Sequence, residues 1–169
     1  MTLGERVDRL ESENAIRALA SRYGLAMDDR DLDAARQLFT PDARVHSRDG
    51  VMDARGIDAI LDLYRGRFAV LGPSLHVTHD HLVLFDDADH ARGIVVSHAE
   101  VWRNGTAQIA ALRYHDRYRR EDGAWRFAQR ELLFFYYLEP RDYAQALGQR
   151  HRVRTYGRPQ PADFGGSAA

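Results

Sequence analysis

Proton transfer is the chemistry most visible in this chain, because its histidines and carboxylates fall into patterned groups. Three of the eight histidines stand in the segment Leu75-His76-Val77-Thr78-His79-Asp80-His81. In a strand, alternate side chains share a face, so His79 and His81 are expected to point one way with Val77, and His76 the other way with Thr78 and Asp80. A His-x-His pair can grip zinc or iron, but a metal site needs about three convergent protein ligands, and only two share this face. No metal is therefore expected, and His79 and His81 read as rim or surface residues. Asp28 ends the first long helical segment, five residues after Tyr23. Aspartate is favoured as a helix cap, and Asp29, Asp31 and Asp33 compete for that role. His98 and Glu100 share one face of the otherwise apolar Val95–Val101 segment. Either that face is buried and both groups need partners, or it meets solvent and Val95, Ser97 and Ala99 form the core face. Alternation leaves both open.

Composition removes several chemistries. The 169 residues hold 25 acidic and 24 basic side chains, for a net charge of −1. Such a chain lacks the basic field that grips phosphate backbones, so no nucleic-acid partner is expected, even though arginine and tyrosine interleave in Tyr114–Arg120. Every basic residue is arginine and cysteine is absent. Schiff-base lysines, thiolate nucleophiles and cysteine-ligated metals are thereby excluded. No glycine-rich phosphate loop, nucleophile elbow or zinc-protease motif occurs, and no cofactor is expected. No apolar run approaches the roughly 20 residues of a membrane helix, and no leader pattern opens the chain. The expectation is a soluble, cytoplasmic protein without a membrane partner.

The elements that must position these groups follow from periodicity. Residues 3–27 repeat apolar side chains at threes and fours, with a possible break near Ser12 and Asn14. Asp28–Asp31 suits a helix end and a new N-cap. Leu32–Phe39 is a second amphipathic helix, Ala43–His46 a short strand and Gly56–Phe68 a third helix. The pattern then switches to period two: strands over 75–85, 91–102, 106–119 and 125–135 are separated by turns at Asp86–Asp89, Asn104-Gly105 and Glu121–Gly123. Helices first and then a strand meander indicate an α+β fold, with helices packed on one face of an antiparallel sheet. The Leu132–Leu138 run suits a pocket wall or a subunit contact. Residues 1–145 read as one domain. Residues 146–169 read as a tail, partly mobile or covering the pocket or an interface.

Three parts of the sequence together resemble a known family. They are Ser21–Asp33 at the end of the first helix, Leu38-Phe39-Thr40-Pro41-Asp42-Ala43, and Tyr114–Tyr118 followed by Asp122-Gly123-Ala124-Trp125-Arg126. In this order and spacing they resemble the SnoaL-like family of the nuclear-transport-factor-like cone superfamily, over about residues 3–138. The resemblance implies a cone-shaped α+β barrel enclosing a pocket. Among the functional relatives are scytalone dehydratase, bile-acid 7α-dehydratase and hexachlorocyclohexane dehydrochlorinase, which use an Asp–His dyad. Asp28 and His76 match the dyad positions. Tyr23 matches a pocket tyrosine, and His98 falls close to a second polar catalytic position. Where the bile-acid enzyme has a pocket arginine, this chain places Phe134, with Arg130 nearby but not equivalent.

The resemblance thus implies Asp28, His76, His98 and Tyr23 as catalytic residues, and Tyr64, Trp102, Phe134 and Tyr136 as substrate-binding ones. A carboxylate on one ring nitrogen fixes the histidine tautomer and leaves the other to take a proton. The expected activity is a cofactor-independent, dehydratase-type lyase acting on a small apolar, cyclic or polyketide-like molecule. An isomerase or cyclase using the same dyad, or a binding module without turnover, is the alternative. A homo-oligomer, dimer or trimer, is expected, with the arginine face of residues 113–119 and the tail as candidate contacts.

Overall fold

The computed structural model describes residues 1–166. Helix α1 spans Leu3–Asp28 without a break. Thr2 starts it with a capping box: the Glu5 N–H donates to Thr2 Oγ1, and the Thr2 N–H donates to Glu5 Oε2. The expected break at Ser12 does not occur, because Ser12 lies on the buried face beneath Arg120. After α1, Arg30 takes a left-handed φ of 58° and reverses the chain. Asp31 then caps α2 (Leu32–Gln37) through the Ala34 N–H at 2.8 Å. Asp31 thus takes the capping duty for which Asp28 was one candidate.

Strands β1 (Phe39–Ser47) and β2 (Asp53–Arg55) precede α3 (Ile57–Phe68). Four long strands follow: β3 (Leu71–Phe85), β4 (His90–Arg103), β5 (Thr106–Glu121) and β6 (Ala124–Leu138). The six strands form one open sheet in the order β2-β1-β6-β5-β4-β3. The four-strand meander is antiparallel as expected, but β1 lies parallel to β6, so the sheet is mixed. The sheet curves around α1 and α3, giving the α+β cone.

Two details decide which side chains face inward. In β4, Val95, Ser97, Ala99 and Val101 are buried while His98, Glu100 and Trp102 are exposed. In β3, the register against β4 shifts between Thr78 and His81. This bulge inverts the alternation midway. His76 and His81 therefore both face inward, while His79 and Asp80 face out. The expectation that His81 points outward with His79, and that Asp80 shares the face of His76, fails for this reason.

The Leu132–Leu138 run is apolar on both faces because both are covered. Leu132, Phe134 and Tyr137 join the inner core. Tyr136 and Leu138 pack outside with Ala111 and Ala146 of α4 (Tyr143–Ala146). Beyond α4, Val153 bridges to Tyr137 where β1 has ended. Arg152 is buried and donates to the carbonyls of Phe135, Gln149, Phe164 and Gly166. Of the 146–169 tail, residues 167–169 lie outside the described residues.

Candidate active site

Asp28 and His76 meet where the last turn of α1 crosses β3. His76 Nδ1 lies 2.6 Å from Asp28 Oδ1, and the His76 backbone N–H donates to Oδ2 at 2.8 Å. Ser74 Oγ donates to Oδ1 at 2.8 Å. Three donors on one carboxylate fix its orientation, and a carboxylate on Nδ1 fixes the ring as the Nδ1–H tautomer. Nε2 keeps its lone pair and has no hydrogen-bond partner among the described residues. Burial disfavours the charge on Asp28, but the hydrogen bonds from the His76 ring and backbone and from Ser74 outweigh it. The carboxyl is held below the usual 3.8. With the folded value lowered, this contribution to stability is complete above the ordinary carboxylate range and is lost as pH falls through the folded value.

Gly24 permits the approach of α1 to this pair. A Cβ at that position would stand 3.3 Å from His76 Cβ. Gly24→Ala is therefore expected to push β3 from the helix by a few tenths of an ångström. Alanine's helix preference offsets up to about 1 kcal/mol of the strain. The result should be a loosened Asp28–His76 contact with thermal stability nearly unchanged, as read by the His76 imidazole NMR resonances beside a melting curve.

His76 opens on a cavity with about 70 Å³ of space for the centres of water-sized molecules. Its deep wall is apolar and aromatic: Tyr23, Tyr64, Leu112, Tyr114 and Phe134 are all buried. Arg67, Phe68, Leu71, Ser74 and His76 are partly exposed and form its open side. Tyr64 Oη donates to Tyr23 Oη at 3.3 Å, which leaves the Tyr23 hydroxyl proton available to a ligand. Burial first, then Tyr23, push the Tyr64 hydroxyl well above its usual value, so it stays a neutral donor.

Of the eight residues expected at the site, the structure brings Asp28, His76, Tyr23, Tyr64 and Phe134 together. The other three lie elsewhere. His98 faces outward, with its Nδ1 2.8 Å from His79 Nε2. Trp102, two residues on, shares that exposed face, and Tyr136 lies under Tyr143 on the outer side of β6. For His98 and Trp102 the cause is the phase of β4. For Tyr136 it is an irregularity in the β5–β6 register, between Ala111 and Leu112. Among the described residues no three histidine or acidic side chains converge as metal ligands, and no helix is long and apolar enough to cross a membrane.

The model of the SnoaL-like domain matches residues 8–131. The chain belongs to that family. No curated protein sequence matches it. Solved structures that resemble this SnoaL-like domain include a hexachlorocyclohexane dehydrochlorinase, LinA Type2, at 23% identity and TM-score 0.75, covering 79% of this chain and 92% of that one. LinA-type3 from Novosphingobium barchaimii matches at 23% identity and TM-score 0.73, covering 79% and 93%. A scytalone dehydratase-like protein of Novosphingobium aromaticivorans matches at 21% identity and TM-score 0.74, covering 79% and 91%. At these identities the shared property is the cone fold.

Sequence reasoning missed a second polar group inside the SnoaL-like domain. Arg130 is fully buried and makes two bonds to Asp116, Nε to Oδ1 at 2.9 Å and Nη2 to Oδ2 at 2.7 Å. Its guanidinium also lies about 4 Å over the rings of Tyr23, Tyr114 and Phe127. Burial disfavours its charge, but Asp116 outweighs that and raises its pKa further. Tyr118 Oη donates to Asp116 Oδ2 at 2.9 Å and lies 2.9 Å from His81 Nε2. Since the tyrosine proton goes to Asp116, His81 must donate through Nε2–H, and its Nδ1 is buried without a partner. The warning signal was Asp116 itself. It shares a strand face with Tyr114 and Tyr118, and a buried carboxylate requires a cation.

His81 gives the domain an acid weakness. Burial lowers its pKa to about 4, with Asp116 and Glu13 opposing and Arg17 and Arg130 reinforcing the shift. Below pH 6.5 the unfolded chain takes a proton that the folded chain refuses, so stability falls as pH drops from 6.5 towards 4. Between pH 7 and pH 5 the loss should be about 2 kcal/mol. Urea unfolding at both values should show it, and His81→Gln, which cannot titrate, should remove most of the difference.

Proposed function

We propose that this protein is a cofactor-independent lyase in which the Asp28–His76 pair removes a proton from carbon. The observation that carries the reading is the 2.6 Å contact between His76 Nδ1 and Asp28 Oδ1 at the open side of an apolar cavity. Nε2 takes the C–H proton, the C–H electrons form the new C=C bond, and the leaving group on the adjacent carbon departs with its own bonding pair. Asp28 holds the imidazolium that results. The Tyr23 hydroxyl, relayed by Tyr64, is placed to donate to a carbonyl or leaving oxygen. With His98 outside the cavity, this second polar role falls to Tyr23.

The cavity size and lining favour a small cyclic molecule, and among the described residues of the tail Tyr156 packs against the inner cluster and the Tyr137 ring. The fold neighbours named as dehydrochlorinase and dehydratase point to two leaving groups, chloride and hydroxide. The test incubates the protein with hexachlorocyclohexane, reading chloride release, and with hydroxylated cyclic ketones, reading absorbance of the conjugated product. Turnover that depends on His76 supports the lyase. Double-bond migration or ring closure without loss of a leaving group would mean the isomerase or cyclase. Tight binding without turnover would mean a binding module.

The outer face of β3 and β4 supports self-association. Leu75, Val77, Leu82, Leu84, Ile94 and Trp102 are all exposed there. A row of this kind on one face marks a contact surface. Light scattering should give a dimer or trimer mass, and Leu82→Glu should lower it.

A further inference from the structure

Arg67 is the one side chain of fixed charge on the cavity wall among the described residues. It stands in the last turn of α3, half-buried, on the cavity's open side. The other pairs made by α3 charges leave it out: Arg65 pairs with Asp62, and Asp58 pairs with Arg36. Arg67 pairs with no carboxylate among the described residues. Its Nη1 points instead to Met52 Sδ at 3.0 Å, a weak acceptor that carries no charge. Two other groups act on the same region. Tyr156, which feels the Arg67 charge, is pushed up to about 12 by burial and stays a neutral phenol. Asp49, whose charge also acts on Tyr156, accepts from Ser47 Oγ and the Val51 N–H at Oδ1 and has Oδ2 buried without a partner, but it makes no ion pair with Arg67 among the described residues.

A half-buried guanidinium with no carboxylate in ion-pair contact keeps its fork free for an anionic ligand group. Its planar fork matches a carboxylate through two parallel hydrogen bonds. The burial pattern also assigns an orientation. The deep wall of Tyr64, Leu112 and Phe134 takes the hydrocarbon part of a ligand, while Arg67 and His76 share the open side, where a charged end keeps part of its hydration. We propose that Arg67 selects a carboxylate-bearing substrate with a compact apolar skeleton. This names the substrate class of the site described above and rests on that reading for the site's identity.

The test measures binding alone, by titration calorimetry, with trans-cinnamate and its neutral isostere trans-cinnamamide. Cinnamate should bind the wild-type protein at least about tenfold more tightly. In Arg67→Met, with folding checked by circular dichroism, the ratio should fall to near one while cinnamamide affinity is kept. Arg67→Lys should retain part of the preference, and His76→Gln most of it. Equal affinities in the wild type, no binding of either compound at millimolar concentration, or a preference that survives Arg67→Met would overturn the proposal. So would a preference lost in His76→Gln alone, which would move anion recognition to the histidine. A charge preference without turnover of any compound would leave the Arg67 assignment standing and overturn the lyase. Turnover of neutral substrates without the preference would do the reverse.

Discussion

His76→Gln should lower kcat/KM for elimination by about 10³-fold, with the loss carried by kcat. Glutamine keeps a polar group of similar reach, and its amide can still donate to Asp28, so the fold around Ser74 and Gly24 should survive. What it lacks is a nitrogen lone pair that can accept a proton from carbon. Asp28→Asn should lower the rate by about 10²–10³-fold, because an amide no longer stabilises the imidazolium and can present the wrong atom to Nδ1. Ser74→Ala removes one of three donors to the carboxylate and should cost only about three- to tenfold. The Asp28→Asn/His76→Gln double variant should be no slower than His76→Gln alone, since the carboxylate acts through the ring. If His76→Gln keeps more than a tenth of wild-type activity, the base is another residue and the dyad is structural.

The parts of this molecule that were readable in advance are those with local causes. The termination of α1 near Asp28, an N-cap within the Asp28–Asp33 cluster and the turns at Asn104-Gly105 and Asp122-Gly123 follow from residue chemistry within a few positions. All appear in the structure, with Asn104 and Asp122 in left-handed backbone. The pairing of Asp28 with His76 joins residues 48 apart, and nothing local predicts it. It was reached through family resemblance, and the geometry now stands beside that. The errors trace to irregularities that a strict period of two cannot contain. One bulge in β3 moved His81 inside, and one register shift beside β6 moved Tyr136 outside. His98 was an even choice between two faces of β4, settled only by what packs against the sheet. The parallel pairing of β1 with β6 and the tail laid beside Tyr137 are long-range contacts between segments that carry no mutual signature. Arg130 was obscure for a further reason. In Gln129-Arg130-Glu131 it reads as part of a polar, exposed run, and only its facing partner Asp116 on β5 shows that it points inward.

That buried pair should be the most sensitive point of the fold. Asp116→Ala should destabilise the protein by about 3–5 kcal/mol, because it leaves the Arg130 guanidinium fully buried with only the faces of Tyr23, Tyr114 and Phe127 for company. Ring faces attract a cation by about 2 kcal/mol when desolvated, which is less than the cost of stripping its water. Tyr118 would lose its acceptor at the same time, and His81 would lose the charge that opposes its neutral state. Removing both partners is a different perturbation. Asp116→Leu with Arg130→Met replaces two charges by apolar groups of similar volume and should recover most of the stability lost by Asp116→Ala. Urea unfolding of the single and double variants at pH 7.5 decides the matter. A loss below about 1 kcal/mol for Asp116→Ala would mean that water reaches Arg130 and that the pair is not sealed. The double variant separates the structural role of the pair from an influence on the site, because it removes the cation above the Tyr23 ring while keeping the core filled. If it folds stably yet eliminates more slowly, with KM unchanged, Arg130 positions the Tyr23 hydroxyl. If its rate matches the wild type, the pair serves the fold alone.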